Sequence, residues 1–390
     1  MQILKNKTNI DFIGKRKPAV FISTIVNLAI IVGIATVGFN FGVDFAGGTV
    51  VELKFNHPVT AAEVRERAEK GGLHDVSVQN IGGEADNSFL LRLGGVTQLN
   101  EANADKAKQA IQALGEVRNV YADLANGIVN FRSATPLAAE TIKKAVEDSG
   151  TGVQEVRVLG ENQGGTGIDY QVVASGMADK VHSALGAGLE KPDFEQRRVD
   201  YVGPQVGKQL RNRGVMALLY AMVAILIYVA FRFDFKFGPG ALLAMLHDVI
   251  MVAGYYLVSR REFGLTAIAA LLTIVGYSVN DTIVIYDRIR EDMAKYKGKP
   301  LAEVINIAIN DTLGRTILTS GTTALSLIGL LVFGVGEIFD FAMAMLVGIL
   351  VGTYSSVYIA SPLTIWLDER AAAKEARQRG GDMKHEPKTA

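Results

Sequence analysis

Polar and apolar positions are segregated on a large scale along this chain. Six long apolar runs occupy residues 19–39, 215–231, 239–258, 264–286, 316–334 and 341–366. Each approaches or exceeds the roughly 20 residues an α-helix needs to cross the hydrocarbon core of a bilayer. The pattern predicts six transmembrane helices. The first run follows Lys15, Arg16 and Lys17, as a signal peptide would. It is too long for a typical signal h-region and ends without a clear small-x-small cleavage site, so it reads as an uncleaved span.

Residues 40–213 carry the shorter periods of a water-soluble domain. Positions 50–55 alternate at period two, and 61–70 read as a charged helix entered after Pro58 and Thr60. Strands follow at 76–81 and 89–93, a helix at 102–114 and a strand at 117–124. That β-α-β-β-α-β order is the split βαβ arrangement of ferredoxin-like domains. It recurs about 78 residues later: Val51-Glu52-Leu53-Lys54 matches Val129-Asn130-Phe131-Arg132, and Pro58 matches Pro136. Helix 139–150, strands 153–159 and 169–173, helix 178–189 and strand 197–202 complete the second set. The expectation is two tandem units, at about 44–125 and 126–203. The fold class is an α-helical integral membrane protein with six transmembrane helices plus an external, duplicated α+β ferredoxin-like domain.

Charge orients the spans. Lys15, Arg16 and Lys17 precede span 1, Arg232 and Lys236 lie between spans 2 and 3, Arg288 and Arg290 follow span 4, and Arg370 and Lys374 follow span 6. The positive-inside rule puts all of these on the cytoplasmic side, with both termini (1–18 and 368–390) inside and 40–213 outside. Arg211, Arg213, Arg260 and Arg261 run against that assignment. The tail from Arg370 is polar and is expected to be disordered. Leu301, Val304, Ile305, Ala308 and Thr312 form a stripe after Pro300 that suggests a short interfacial helix. A formal net charge of zero argues against nucleic-acid binding. With no cysteine, disulfides and Cys-based metal or redox sites are excluded.

The candidate chemistry lies inside the spans. An ionised Asp at the centre of a membrane helix costs about 2.5–3.5 kcal/mol on insertion scales and usually faces a bundle interior or a water-filled path. Asp281 is such a residue. Thr273, Tyr277 and Asp281 share one face at i, i+4 and i+8, with Gly276 and Asn280 alongside. Span 5 opens with Arg315 and continues with the hydroxyls of Thr319, Thr322, Thr323 and Ser326; span 3 adds His247 and Asp248. Approach and separation of Asp281 and the permanently charged Arg315 would switch proton occupancy of the carboxyl. Read plainly, the same two residues form a static pair that fixes helix register. Asp248 and Asp281 together also raise an intramembrane aspartyl protease, although Asp281 lacks the flanking Gly-x-Gly of that family. Gly348 and Gly352 suggest tight helix packing. In the external region His57, His74 and His182 are scattered singly, as surface or packing histidines. Gly164-Gly165-Thr166-Gly167 lacks the Lys and Ser/Thr of a phosphate loop.

Several segments resemble hallmark motifs of the SecF family, membrane subunits of the bacterial Sec protein translocase related to RND transporters. They are Asp44-Phe45-Ala46-Gly47-Gly48-Thr49, Val202-Gly203-Pro204-Gln205-Val206-Gly207, residues 277–291 around Asn280 and Asp281, and residues 312–323 around Arg315 and Thr319. The resemblance covers span 1, the domain edges and the five later spans in order. It implies a bacterial inner-membrane protein with a periplasmic domain, a SecD partner completing a twelve-helix bundle, and proton flow that assists preproteins leaving the SecYEG channel. YajC and SecA are implied as indirect partners. No cofactor, no nucleic acid and no enzymatic step are implied. The family's proton-path acid and arginine map onto Asp281 and Arg315, and Asp44, Phe45, Gly47, Gly48, Gly203, Pro204 and Gly207 onto hinges or structural corners. SecF chains usually carry a single small external domain, about half of what stands here. The alternative function is RND-type small-molecule efflux.

Overall fold

The computed structural model describes residues 8–73, 76–81, 87–95, 97–124, 126–161, 167–187, 192–233 and 236–382. His74, residues 164–166 and the last eight residues lie outside these. The chain divides into two compact units, residues 41–212, and 1–40 with 213–390.

In the first of these units, α2 (Val43–Ala46) leads into β1 (Gly48–Phe55), α3 (Ala61–Lys70), β2 (Ser77–Asn80), β3 (Ser88–Leu93), α4 (Glu101–Gln112) and β4 (Val117–Asp123). The repeat follows as β5 (Ile128–Ser133), α5 (Ala139–Asp148), β6 (Val153–Glu161), β7 (Ile168–Ala174), α6 (Met177–Gly186) and β8 (Phe194–Val202). Both six-element sets read from the sequence are present. Their partition differs from the chain-order split at about 44–125 and 126–203. One antiparallel sheet has the order β2-β3-β1-β8 and the other β4-β5-β7-β6. Each is the ferredoxin-like arrangement, but its fourth strand comes from the other repeat. A permuted unit, α4 through β7, is thus inserted into the connection after β3.

The physical reason is at the insertion point. The outgoing and returning chains pair with each other there, with Thr97 bridging Gly176 and Gln98 N–H donating to the Ser175 carbonyl at 2.8 Å. Two cores result. Val51, Leu53, Phe55, Phe89 and Leu91 pack with Val181 and Leu185 of α6. Val129, Phe131, Ile142 and Tyr170 pack with Ala107 and Ile111 of α4. Local signals hold the helices: Thr60 and Glu63 form a reciprocal capping box at α3, and Asn100 caps α4.

The motif glycines are a corner. Gly47 and Gly48 have φ of 78° and 146°, and a Cβ on Gly48 would lie 2.4 Å from the Leu93 carbonyl oxygen. A Cβ on Gly47 would meet Pro204 at 2.9 Å and one on Gly207 the Phe45 carbonyl at 3.0 Å, with Phe45 itself buried. Asp44 opens α2, whereas Gly203 faces open space.

The other unit holds α1 (Arg16–Thr36), most of α7 (Pro204–Arg232), α8 (Gly238–Ser259), α9 (Leu265–Lys295), α10 (Leu301–Phe333), α11 (Glu337–Ser355), a π-helical turn (Ser356–Ala360) and α12 (Ser361–Asp382). Among the described residues, six continuous helical stretches are long and apolar enough to span a membrane, the sixth running from α11 through the π turn into α12. The 301–312 stripe is not a separate interfacial helix. It forms the first turns of α10, where Val304, Ile305 and Ala308 are buried, and Asn306 and Asn310 hydrogen-bond the backbone at Ile10 and Phe12. Nor does order end at Arg370, because α12 continues to Asp382 through alanines and charged residues of high helix propensity. The arginines that run against the charge rule are used locally. Arg260 donates to the Gly38 carbonyl at 2.7 Å, Arg261 pairs with Asp340, and Arg211 lies over the Phe41 ring.

His57 and His182 are in the roles expected of them, His182 resting on Phe194. His57 Nε2 hydrogen-bonds Asp193 at 2.7 Å, and Arg67 donates to the same oxygen at 2.7 Å. The Asp193 hydrogen bond, with help from the Pro58 carbonyl, raises the His57 pKa above 6.5. Burial opposes ionisation of Asp193, but the hydrogen bonds from Arg67 and His57 outweigh it and hold the carboxyl below 3.8. The His57 contribution is therefore complete below about pH 6.5 and lost as pH rises through its folded-state value; that of Asp193 is lost as pH falls below the carboxylate range. Asn56 N–H donates to the Asp193 carbonyl at 2.9 Å, so its exchange protection reports on this joint. In full-length protein that protection, corrected for intrinsic exchange, is expected to fall between pH 6 and 9, and to be flat over that range in His57→Gln. Equal pH dependence of the two proteins contradicts this account.

Candidate functional site

The site is built on the seam between α9 and α11, the most extensive helix–helix contact in the unit. Gly348 and Gly352 make it close. A Cβ at Gly348 would lie 2.4 Å from Ile274 Cδ1, and one at Gly352 2.9 Å from Ser278 Cβ. Small residues allow this approach where water supplies no hydrophobic drive.

Asp248, on α8, is 0% exposed and reaches the seam from one side. Its Oδ1 hydrogen-bonds His247 Nδ1 at 2.9 Å, and its Oδ2 accepts from Ser355 at 2.8 Å and from Ser278 in a short hydrogen bond. One carboxylate thus ties α8, α9 and α11 together. Asp281, on α9, is 4% exposed. Thr353 of α11 donates to its Oδ2 at 3.5 Å, and Ser320 of α10 stands 2.9 Å from Thr353 Oγ1. That hydroxyl relay links α10 and α11 to the acid. Just beyond it the helix widens into the π turn, where Thr282 and Ser356 hydroxyls meet at 2.8 Å and Ser361 donates to the Ser356 carbonyl. Such single π turns recur at functional sites.

The sequence candidates fall into two sets. Asp281, Asp248 and His247 are buried, and Tyr277, half-buried, donates to Thr323 of α10 at 3.3 Å. Asn280 and Arg315 are exposed on the sides of α9 and α10. Among the described residues no hydrogen bond or ion pair joins Asp281 to Arg315. The hydroxyls after Arg315 do not form a relay among themselves. Thr319 donates to the carbonyls of Arg315 and Thr316, and Thr322, Thr323 and Ser326 likewise turn back onto α10. The two aspartates have separate partners, with no hydrogen bond joining them, unlike a shared-proton protease dyad. Ser320, Thr353, Ser355 and Ser356 were not singled out from the sequence. The run Thr353-Tyr354-Ser355-Ser356, polar within an apolar span, was the available signal.

The six apolar helices define a multi-pass membrane protein, with a compact α+β unit between its first two spans. The sequence matches the family described as protein export membrane protein SecD/SecF, C-terminal, over residues 182–370, and the SecD/SecF GG motif over residues 32–59. It is 39% identical to the protein translocase subunit SecF of Magnetococcus marinus over 97% of this chain and 98% of that one. Identity to the SecF subunit of Koribacter versatilis is 35% over 96% of each chain. Crystal structures of SecDF, one from Thermus thermophilus, superpose with TM-scores of 0.60 and 0.59 at 29% identity, covering 95% and 96% of this chain. This chain spans 40% of the length of those SecDF chains. It belongs to the SecF family of protein translocase subunits. The SecF relatives align over nearly their whole length.

Gly352→Ala tests the seam. The added methyl meets Ser278 backbone and side chain, so overpacking of about 1–3 kcal/mol is expected. Thermal unfolding of the purified full chain should shift down accordingly. A midpoint equal to that of the unsubstituted protein contradicts a closely packed seam.

Proposed function

We propose that this chain couples proton movement across a bacterial inner membrane to late steps of preprotein export, with Asp281 as the group that gains and loses the proton. The observation that carries the reading is a carboxyl 4% exposed within a membrane-spanning helix and reached by a hydroxyl relay from two neighbouring helices. Such a group has no evident role in stability that an apolar residue would not fill better. One elementary charge crossing about 100 mV is worth about 2.3 kcal/mol, enough to bias a two-state arrangement of helices.

Arg315 is the fixed charge of the couple. It stands exposed on α10 together with Asn280 on α9. A second six-helix half, SecD, covers these faces in the assembled bundle, and the 40% share of the SecDF chains matched here leaves room for one. Both termini are cytoplasmic and residues 40–213 are periplasmic, where they meet preproteins emerging from SecYEG; YajC and SecA act indirectly. His247 and Asp248 tie α8 to the same seam through partners separate from those of Asp281. The role is transport, without bond-making chemistry.

Asp281→Asn and Arg315→Met, assayed in membranes lacking the unsubstituted copy, should each reduce proton-dependent export to the level seen without this chain. Co-purification with SecD should be unchanged. Normal export by either variant overturns the assignment.

A further inference from the structure

The proton reading leaves one cavity unused. A groove of about 860 Å³ opens between α1, α8 and α12, within the range typical of small-molecule sites. Phe21, Leu28, Ile31, Leu246 and Ile250 supply apolar wall, and Arg16, Lys17, Trp366 and Glu369 stand at one end. The wall is not uniformly apolar. His247 is 6% exposed and lines the groove; its Nδ1 is engaged by Asp248, and Nε2, on the opposite edge of the ring, has no hydrogen-bond partner among the described residues. Asn27 lines the same groove, and its buried Oδ1 is also without a partner while its amide donates to the Ser23 carbonyl. A buried polar atom left without a partner costs about 1–3 kcal/mol, so these two mark a polar level in an otherwise apolar stretch of wall.

The order of chemistry along the groove identifies an occupant. The basic end carries Lys17, which has no ion pair among the described residues, and Arg16, which stands 3.6 Å from Glu369. Ser23 stands beside Tyr354, whose ring stacks on His247, which puts Ser23 and His247 at one level. That level lies seven residues beyond Arg16, about 10 Å along the helix. Past Thr24 and Asn27, within the next turn of α1, the lining is apolar as far as Ile31 and Ile250. An anionic group, then a polar linkage, then a hydrocarbon chain is the layout of a glycerophospholipid. We propose that this groove is a binding site for one anionic glycerophospholipid, its phosphate held by Lys17 and Arg16, its glycerol linkage at the level of His247 and Asn27, and an acyl chain along Leu28, Ile31 and Ile250. Trp366, with Arg370 stacked 3.8 Å over its ring, is the interfacial anchor beside the headgroup. The site is independent of proton transfer at Asp281.

Native mass spectrometry of the purified full-length chain, titrated with dioleoyl phosphatidylglycerol or dioleoyl phosphatidylcholine, tests it. One tightly retained phosphatidylglycerol is expected, with phosphatidylcholine held much more weakly. Lys17→Glu should weaken phosphatidylglycerol retention roughly tenfold, since each basic charge near a lipid headgroup contributes substantially to anionic-lipid binding. Leu246→Trp, which fills the groove, should abolish retention of both lipids. If that variant fails to fold, a diazirine-bearing phosphatidylglycerol on the unsubstituted chain gives the same answer by labelling peptides 16–31 and 243–250 above all others. Equal retention of the two lipids, displacement by inorganic phosphate alone, or labelling spread over all six spans overturns the proposal.

Discussion

A carboxylate inside a lipid-embedded helix must obtain its hydrogen-bond donors from the helices beside it, because no solvent is at hand to supply them. Here the donors come across one seam. Ser278 of α9 and Ser355 of α11 serve Asp248, and Thr353 of α11 serves Asp281. The arrangement requires α9 and α11 to run close enough for hydroxyls to bridge them, and Gly348 and Gly352 are what permits it. Any rearrangement of these helices changes the donors available to both acids. The hydrogen bonding of the two acids and the packing of the bundle are, in this sense, the same set of contacts.

The distribution of burial agrees with that picture. The windows of α8 and α9 are about half buried, 50% and 56%, whereas those of α1, α7 and α10 are 6%, 17% and 11% buried. Helices α8, α9 and α11 form the packed core that holds the acids, and the apolar sides of the other three face outward. On a membrane protein an outward apolar side is ordinary. Polar residues on such a side are not, and Arg315 and Asn280 are therefore the ones that call for a covering surface.

Much of this was legible in the chain. Apolar run length alone located the spans, since a bilayer permits few alternatives, and Asp281 stood out because a charge there is costly. The repeat was visible from strand and helix periods at a fixed spacing. Strand exchange was not, because β4 and β8 follow equivalent elements and carry the same local signals; only the pairing of Thr97 with Gly176 decides which sheet each joins. The 301–312 stripe does not announce that it joins the span, because the continuous apolar run begins only at Thr316, yet the lone Gly314 between them does not break α10. Donors such as Ser320 and Thr353 were missed for a different reason. Small hydroxyl residues are common in membrane helices and tie back onto their own backbone, so which of them face an acid depends on helix rotation.

The external unit follows one construction rule twice. A domain placed between two membrane spans must begin and end at neighbouring points, and β1 and β8 satisfy this by pairing antiparallel from Gly48 with Val202 to Phe55 with Phe194. The inserted lobe repeats the device at Thr97 and Gly176, with Gln98 bonded to Ser175 beside them. Each insertion closes on a pair of strands or bridged residues, so the lobe adds surface without separating the ends of its host. Exchange of the fourth strand follows from that closure: once α4 and β4 leave with the insert, α6 and β8 are the next elements in the chain able to complete the host sheet. The enlargement is thus tied into the sheet that carries it, and the His57–Asp193–Arg67 joint lies where β1 ends and β8 begins, at the far side of the same pairing.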